Sequence, residues 1–135
     1  MKFIIRYIPT IIVIGVILYG TLASHPMMAD DLPPIPHLDK LIHAVMMGGL
    51  LGAIVFDWQR AHRDLRVSKR LLWSVFFGVV LFSIGDECVQ GALHNGRASD
   101  PFDLVADIVG ALCAVYLAPP AVRTVLGISN QAFVL

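Results

Sequence analysis

Acidic, basic and amide side chains interrupt a sequence that is otherwise mostly hydrocarbon: Asp39, Lys40 and His43, then Asp86, Glu87 and Gln90, then Asp103 and Asp107. Within a transmembrane helix a charged residue costs at least ~2.5–3.5 kcal/mol, so such residues face the bundle interior and either pair or perform a task. Asp39 and His43 are four residues apart, as are Asp86 and Gln90, and Asp103 and Asp107, so each pair shares one helix face. Counting Asp39, Asp86, Glu87, Asp103 and Asp107 against Lys40 and Arg97 leaves three negative charges unbalanced. Three chemistries would relieve that excess. Close carboxylates can share protons, because each raises the other's pKa. They can hold a hard divalent cation through oxygen, with His43 supplying nitrogen. They can also receive a cationic lipid headgroup or another amine. Arg97 is the group suited to an anion, since its planar fork grips phosphate or carboxylate bidentately.

The elements that must carry these residues follow from composition. Of 135 residues, 57% are hydrophobic and only 15% charged, which is too apolar for an ordinary soluble domain and fits one all-α domain in a bilayer. Net charge is zero, and no basic surface for nucleic acid emerges. Four spans are expected, at about 7–23, 38–58, 71–93 and 103–117. Pro9 falls in the first turn of the first span, and Pro119-Pro120 is expected to end the fourth. The amino-terminal stretch also has features of a secretory signal, but its apolar run is longer than such signals use. A helix needs ~20 residues to cross a ~30 Å hydrocarbon core. The uninterrupted apolar parts of the third and fourth spans are shorter, which places their carboxylates near one membrane surface.

Charge placement predicts which surface that is. Lys2, Arg6, Arg60, Arg63, Arg66, Lys69, Arg70 and Arg123 fall at the amino terminus, the second connection and the tail, so both termini are expected in the cytoplasm. Trp58 and Trp73 flank the basic connection as interfacial anchors would. The first connection, Ser24–His37, with Pro33, Pro34 and Pro36, reads as an irregular outer loop, and His94-Asn95-Gly96-Arg97 reads as an outer turn. Below Asp103 and Asp107 the same face continues as Gly110 and Ala114. In the second span Gly48 with Gly52, and Gly49 with Ala53, are its counterparts, so these two helices are expected to approach closely. Cys88 and Cys113 have no metal or redox spacing and read as small buried membrane residues.

Asp39-Lys40-Leu41-Ile42-His43 opening a span, Glu87 with Gln90 closing one, Gly96-Arg97, and Asp103-x-x-x-Asp107-x-x-Gly110 together resemble the VanZ-like family of small bacterial membrane proteins. The resemblance runs from about Asp39 to Leu117. Asp107 stands where many members have Asn, Gly91 where members often have an aromatic residue, and His94-Asn95 replaces a proline-bearing turn. The family's namesake is associated with low-level resistance to the glycopeptide teicoplanin. The resemblance implies a multi-pass protein of the bacterial inner membrane with Asp39, His43, Glu87, Gln90, Arg97, Asp103 and Asp107 at its site.

Bland roles compete for several of these residues. Arg97 could pair with Asp103 or Asp107 only to fix the third connection, His43 could be a satisfied interhelical histidine, and Lys40 could simply reach for the interface. Two functional classes are expected. One is an envelope binding protein that holds membrane lipids or a lipid-linked envelope precursor, alone or as an oligomer. The other is a small enzyme acting on a phosphate-containing or acylated envelope lipid. In that case Glu87 or Asp107 is the general base, His43 the acid/base and Arg97 the anion clamp. No recognised metal motif or serine nucleophile elbow is present. A transporter is a weaker third class, since four short spans would have to oligomerise to make a path.

Overall fold

The computed structural model describes residues 2–22, 37–93 and 100–128, and all regular structure among them is α-helical. In chain order the helices are α1 (Lys2–Arg6), α2 (Ile8–Leu22), α3 (Leu38–Ala61), α4 (Lys69–Leu93) and α5 (Pro101–Val125). The last three are 24, 25 and 25 residues long and apolar enough to cross a membrane. At ~1.5 Å per residue each exceeds the ~30 Å core, so their ends reach the interfaces. The shorter apolar helix α2 has 15 residues. It separates from α1 at Tyr7, two residues before Pro9, whose missing N–H and fixed φ interrupt the ladder.

The packing order is set by small residues. α3 and α5 make the most extensive contact of any helix pair, and they run parallel because Lys40 meets Asp103, His43 meets Asp107 and Gly48 meets Gly110 in step. A Cβ on Gly48 would sit 2.9 Å from the Gly110 carbonyl oxygen, and one on Gly110 would run into the Ala44 backbone. Only glycine permits that approach. Gly49 and Gly52 have open space where a Cβ would point, so the expected small-residue seam is confined to Ala44, Gly48, Gly110 and Ala114. Around this seam Met47, Leu51, Val55, Phe76, Val79 and Val115 form the buried core. α2 and α4 pack onto the parallel pair, α2 antiparallel to α3, so the ends of α2 and α4 and the starts of α3 and α5 gather at one pole.

Two expectations are corrected. Pro119-Pro120 does not end the fourth span: α5 continues to Val125. The pair leaves the Val115 and Tyr116 carbonyls without their usual i+4 donors, and one turn later the Thr124 hydroxyl adds a bond to the Pro120 carbonyl at 3.0 Å. Tertiary burial of Ala118 and Val122 on either side offsets the loss. The stop comes at Gly127, with φ 64°. Its N–H reaches the Thr124 carbonyl at 3.1 Å, and the Ile128 N–H reaches that of Arg123 at 2.9 Å, a Schellman closure that a left-handed glycine supports. The second correction concerns Cys88 and Cys113, which are exposed free thiols and not buried in the bundle. Helical periodicity decides this: Ser83, Asp86, Glu87 and Gln90 take the inward face of α4, and Cys88 falls outside it.

Residues 23–36 and 94–99 lie outside the described residues, and with them most of the first connection and the His94-Asn95-Gly96-Arg97 turn. His37 adopts φ 63° just before α3 and makes no side-chain cap. The basic connection is held by Gln59, which is fully buried and donates from Nε2 to the carbonyls of His62 at 2.9 Å and Leu65 at 2.8 Å. Trp58 stacks on His62, with ring centroids 4.6 Å apart.

Candidate functional site

The pole where α3 and α5 begin and α4 ends collects most of the expected site, in two layers. The outer layer centres on Lys40. Its ammonium lies 2.9 Å from Asp39 Oδ2, 3.0 Å from Asp100 Oδ2 and 3.0 Å from Asp103 Oδ1. Asp100 precedes Pro101, and its side chain caps α5 by accepting the Phe102 N–H at 2.9 Å. Pro at the first helical position, after an acidic cap, accounts locally for this start. That N–H and the Lys40 ammonium hold the Asp100 carboxyl below its ordinary value of 3.8. Lys40 therefore does more than reach for the interface: it joins the first turns of α3 and α5. Asp39 contributes only at the rim, with its side chain 57% exposed.

The inner layer is buried. His43 Nδ1 lies 3.1 Å from Asp107 Oδ1, and Asp107, itself 2% exposed, accepts a hydrogen bond from Ser83 of α4 on its other oxygen. In the neutral tautomer that donates Nδ1–H to the Asp107 carboxylate, Nε2 presents its lone pair. Nε2 faces Asp103 Oδ2 at 3.7 Å. Glu87 is buried beside them, and one potential ligand atom each of His43, Glu87 and Asp103 lies within 4.8 Å of the other two. These three residues come from α3, α4 and α5. Among the described residues they are the ones whose donor types and spacing could hold a metal ion.

Asp86 and Glu87 are adjacent in α4 but serve different partners. Asp86 accepts from the Thr21 hydroxyl of α2 at 3.0 Å and from Gln90 Nε2 at 3.4 Å. The same hydroxyl lies 2.9 Å from the Ile17 carbonyl of its own helix, so its single proton is shared between the two acceptors. Gln90 thus braces Asp86 in the α2–α4 contact. Among the expected site residues, Asp39, His43, Glu87, Gln90, Asp103 and Asp107 are at this pole, while Arg97 lies outside the described residues. Three participants were not anticipated, Asp100, Ser83 and Thr21. An Asp-Pro step is a visible cap signal that could have placed Asp100; a lone serine among apolar residues offers none.

Between α4 and α5 a cleft of about 250 Å³ runs alongside the buried layer, lined by Ile84, Glu87, Cys88, Asp100, Pro101 and Leu104. Its walls are apolar, and Glu87 and Asp100 give it acidic groups at the pole. The arrangement can bind a molecule that is partly hydrocarbon and partly polar, and it can orient His43 for proton transfer through Asp107.

No curated protein and no solved structure matches this sequence closely enough to identify a relative. The family model described as VanZ/LLP1 matches residues 3–124, which extends the likeness beyond the motif-bearing helices to α1, α2 and nearly all of α5. With its apolar helices converging their polar residues at one pole, the chain is a membrane protein belonging to the VanZ/LLP1 family.

Proposed function

We propose that this chain is a cell-envelope protein of the bacterial inner membrane that binds a lipid-linked ligand, with the polar head at the acid-rich pole and the hydrocarbon in the α4–α5 cleft. The cleft carries this reading, because its apolar walls lead to Glu87 and Asp100. The acid-rich pole faces away from the cytoplasm and both termini lie inside. Arg60, Arg63, Arg66, Lys69 and Arg70 at the opposite end of α3 and α4 support that orientation. A carboxyl-terminal phosphatase reporter that works only outside the cytoplasm should stay silent; activity would reverse the orientation. An effect on glycopeptide susceptibility, including teicoplanin, would act through this envelope ligand.

The second reading is an enzyme acting on a phosphate-containing or acylated envelope lipid. It is favoured by His43 being oriented by Asp107, a geometry that suits a general base. One comparison tests both readings: lipids in cells, and lipids retained by the purified protein, for wild type, Leu104→Trp and Glu87→Gln at matched membrane levels. The binder reading expects wild type to retain a lipid that Leu104→Trp loses at least ~3-fold, and equal retention sinks it. A lipid consumed or produced with wild type but not with Glu87→Gln would move the conclusion to the enzyme.

A further inference from the structure

We infer that His43, Glu87 and Asp103 form a binding site for one divalent transition-metal ion of the zinc or manganese type. The argument begins with a distance. His43 Nε2 and Asp103 Oδ2 face each other at 3.7 Å, which is too long for a hydrogen bond. It is close to the ~3.4 Å that separates two ligands of one tetrahedral ion with bonds of ~2.1 Å. Glu87 completes a triangle whose ligand atoms all lie within 4.8 Å, so small side-chain adjustments would close it on an ion.

The surroundings orient the ligands as a metal site requires. In the neutral tautomer that donates Nδ1–H to Asp107, which Ser83 in turn holds, the lone pair of His43 Nε2 is left toward Asp103. A metal-bound imidazole usually donates its other N–H to such a carboxylate. Asp103 splits its duties, Oδ1 to Lys40 at 3.0 Å and Oδ2 toward the triangle. Charge points the same way. Two carboxylates and a neutral imidazole around a dication sum to zero, whereas the same carboxylates without it carry a net negative charge in a place that disfavours charge. One nitrogen and two carboxylates suit zinc or manganese; calcium would want six to eight oxygens. Because Glu87 also lines the α4–α5 cleft, an open coordination position would be reached from there. The ion site does not depend on the lipid-binding reading and stands if no lipid binds.

The test uses the untagged full-length protein in detergent, stripped with a chelator and titrated separately with zinc and manganese against a competing indicator. Size exclusion and circular dichroism report the fold of each sample. Wild type should take up one equivalent of at least one of the two ions. His43→Gln and Glu87→Gln should each weaken uptake at least ~10-fold. Asp107→Asn, which leaves the three ligands in place, should weaken it by ~10-fold through loss of orientation. Asp64→Asn, in the connection at the other end of the bundle, should bind as wild type does. If a ligand variant misfolds, a cobalt-loaded wild-type sample decides: visible bands of tetrahedral or five-coordinate intensity are expected. Purely octahedral, weak bands overturn the site. Absence of stoichiometric uptake by wild type, or uptake unchanged in folded His43→Gln and Glu87→Gln, also overturns it and leaves an ion-pair network.

Discussion

The two poles of the bundle treat buried carboxylates in opposite ways. Near the α3–α4 connection, Asp57 is fully buried and its donors are built in. It accepts the Thr10 N–H at 3.0 Å and the Thr10 hydroxyl at 2.7 Å at the start of α2, with Arg60 adding a contact at 3.3 Å. Arg60 also reaches the Arg6 carbonyl at 2.6 Å, and Arg6 reaches that of Ala61 at 3.4 Å, so the arrangement is a closed brace. A carboxylate at a helix start gains both from the unbonded N–H groups and from the helix dipole. At the other pole Asp39, Asp86, Glu87, Asp100, Asp103 and Asp107 crowd together, and among the described residues the cation beside them is Lys40. A stabilising brace needs one acid with matched donors. Acids in excess of the cations beside them are a cost in stability, and that excess is what separates a site from a brace.

Removing the brace should have the largest effect on the fold. Asp57→Leu leaves the Thr10 N–H and hydroxyl without their acceptor inside the bundle, a loss of about 2–3 kcal/mol. Denaturant unfolding in detergent should show it, while zinc or manganese uptake by the remaining folded protein stays as in wild type. If Asp57→Leu is as stable as wild type, the contrast between the poles collapses. A smaller loss is expected at Asp107, where the isosteric change separates shape from charge. Asp107→Asn keeps an acceptor for His43 or Ser83 and should cost about 1 kcal/mol, while Asp107→Leu removes both and should cost about 2. The same unfolding assay ranks them, and equal costs would show that the carboxamide does not replace the acceptor.

The smallest effect concerns pH. The Asp100 carboxyl is held below its ordinary value of 3.8 in the folded chain, so its contribution to stability is complete above that value and is lost as pH falls through the lowered one. Thermal unfolding followed from pH 6 downward should therefore decline less steeply in Asp100→Asn than in wild type at the acid end. Parallel curves would remove Asp100 from the Lys40 cluster.

Much of the pole was legible because helical spacing is a strong constraint. The i,i+4 pairs fixed which faces Asp39, His43, Asp86, Gln90, Asp103 and Asp107 share, and Gly48 with Gly110 indicated which helices meet. What escaped was context that spacing does not carry. Asp57 stands one residue from Trp58 and three from Arg60, where it looks like ordinary interfacial polarity; only the distant Thr10 reveals that it is buried. Ser83 and Thr21 are small polar residues of a kind common in membrane helices, and their roles depend on partners 24 and 65 residues away. The Pro119-Pro120 signal is locally sound, but burial of the flanking helix outweighs two missing donors, and Gly127 supplies the stop.

The parallel pairing of α3 with α5 also sets an order of events during synthesis. Every hydrogen bond from Lys40 and His43 to α5 spans 60 to 64 residues, with the whole of α4 made in between. When α3 leaves the ribosome, Lys40 and His43 have no acids from α5 to meet, and Ala44 and Gly48 have no glycine to press against. The pole is therefore assembled last, and a chain stalled after α4 enters the bilayer with its costliest residues still unmatched.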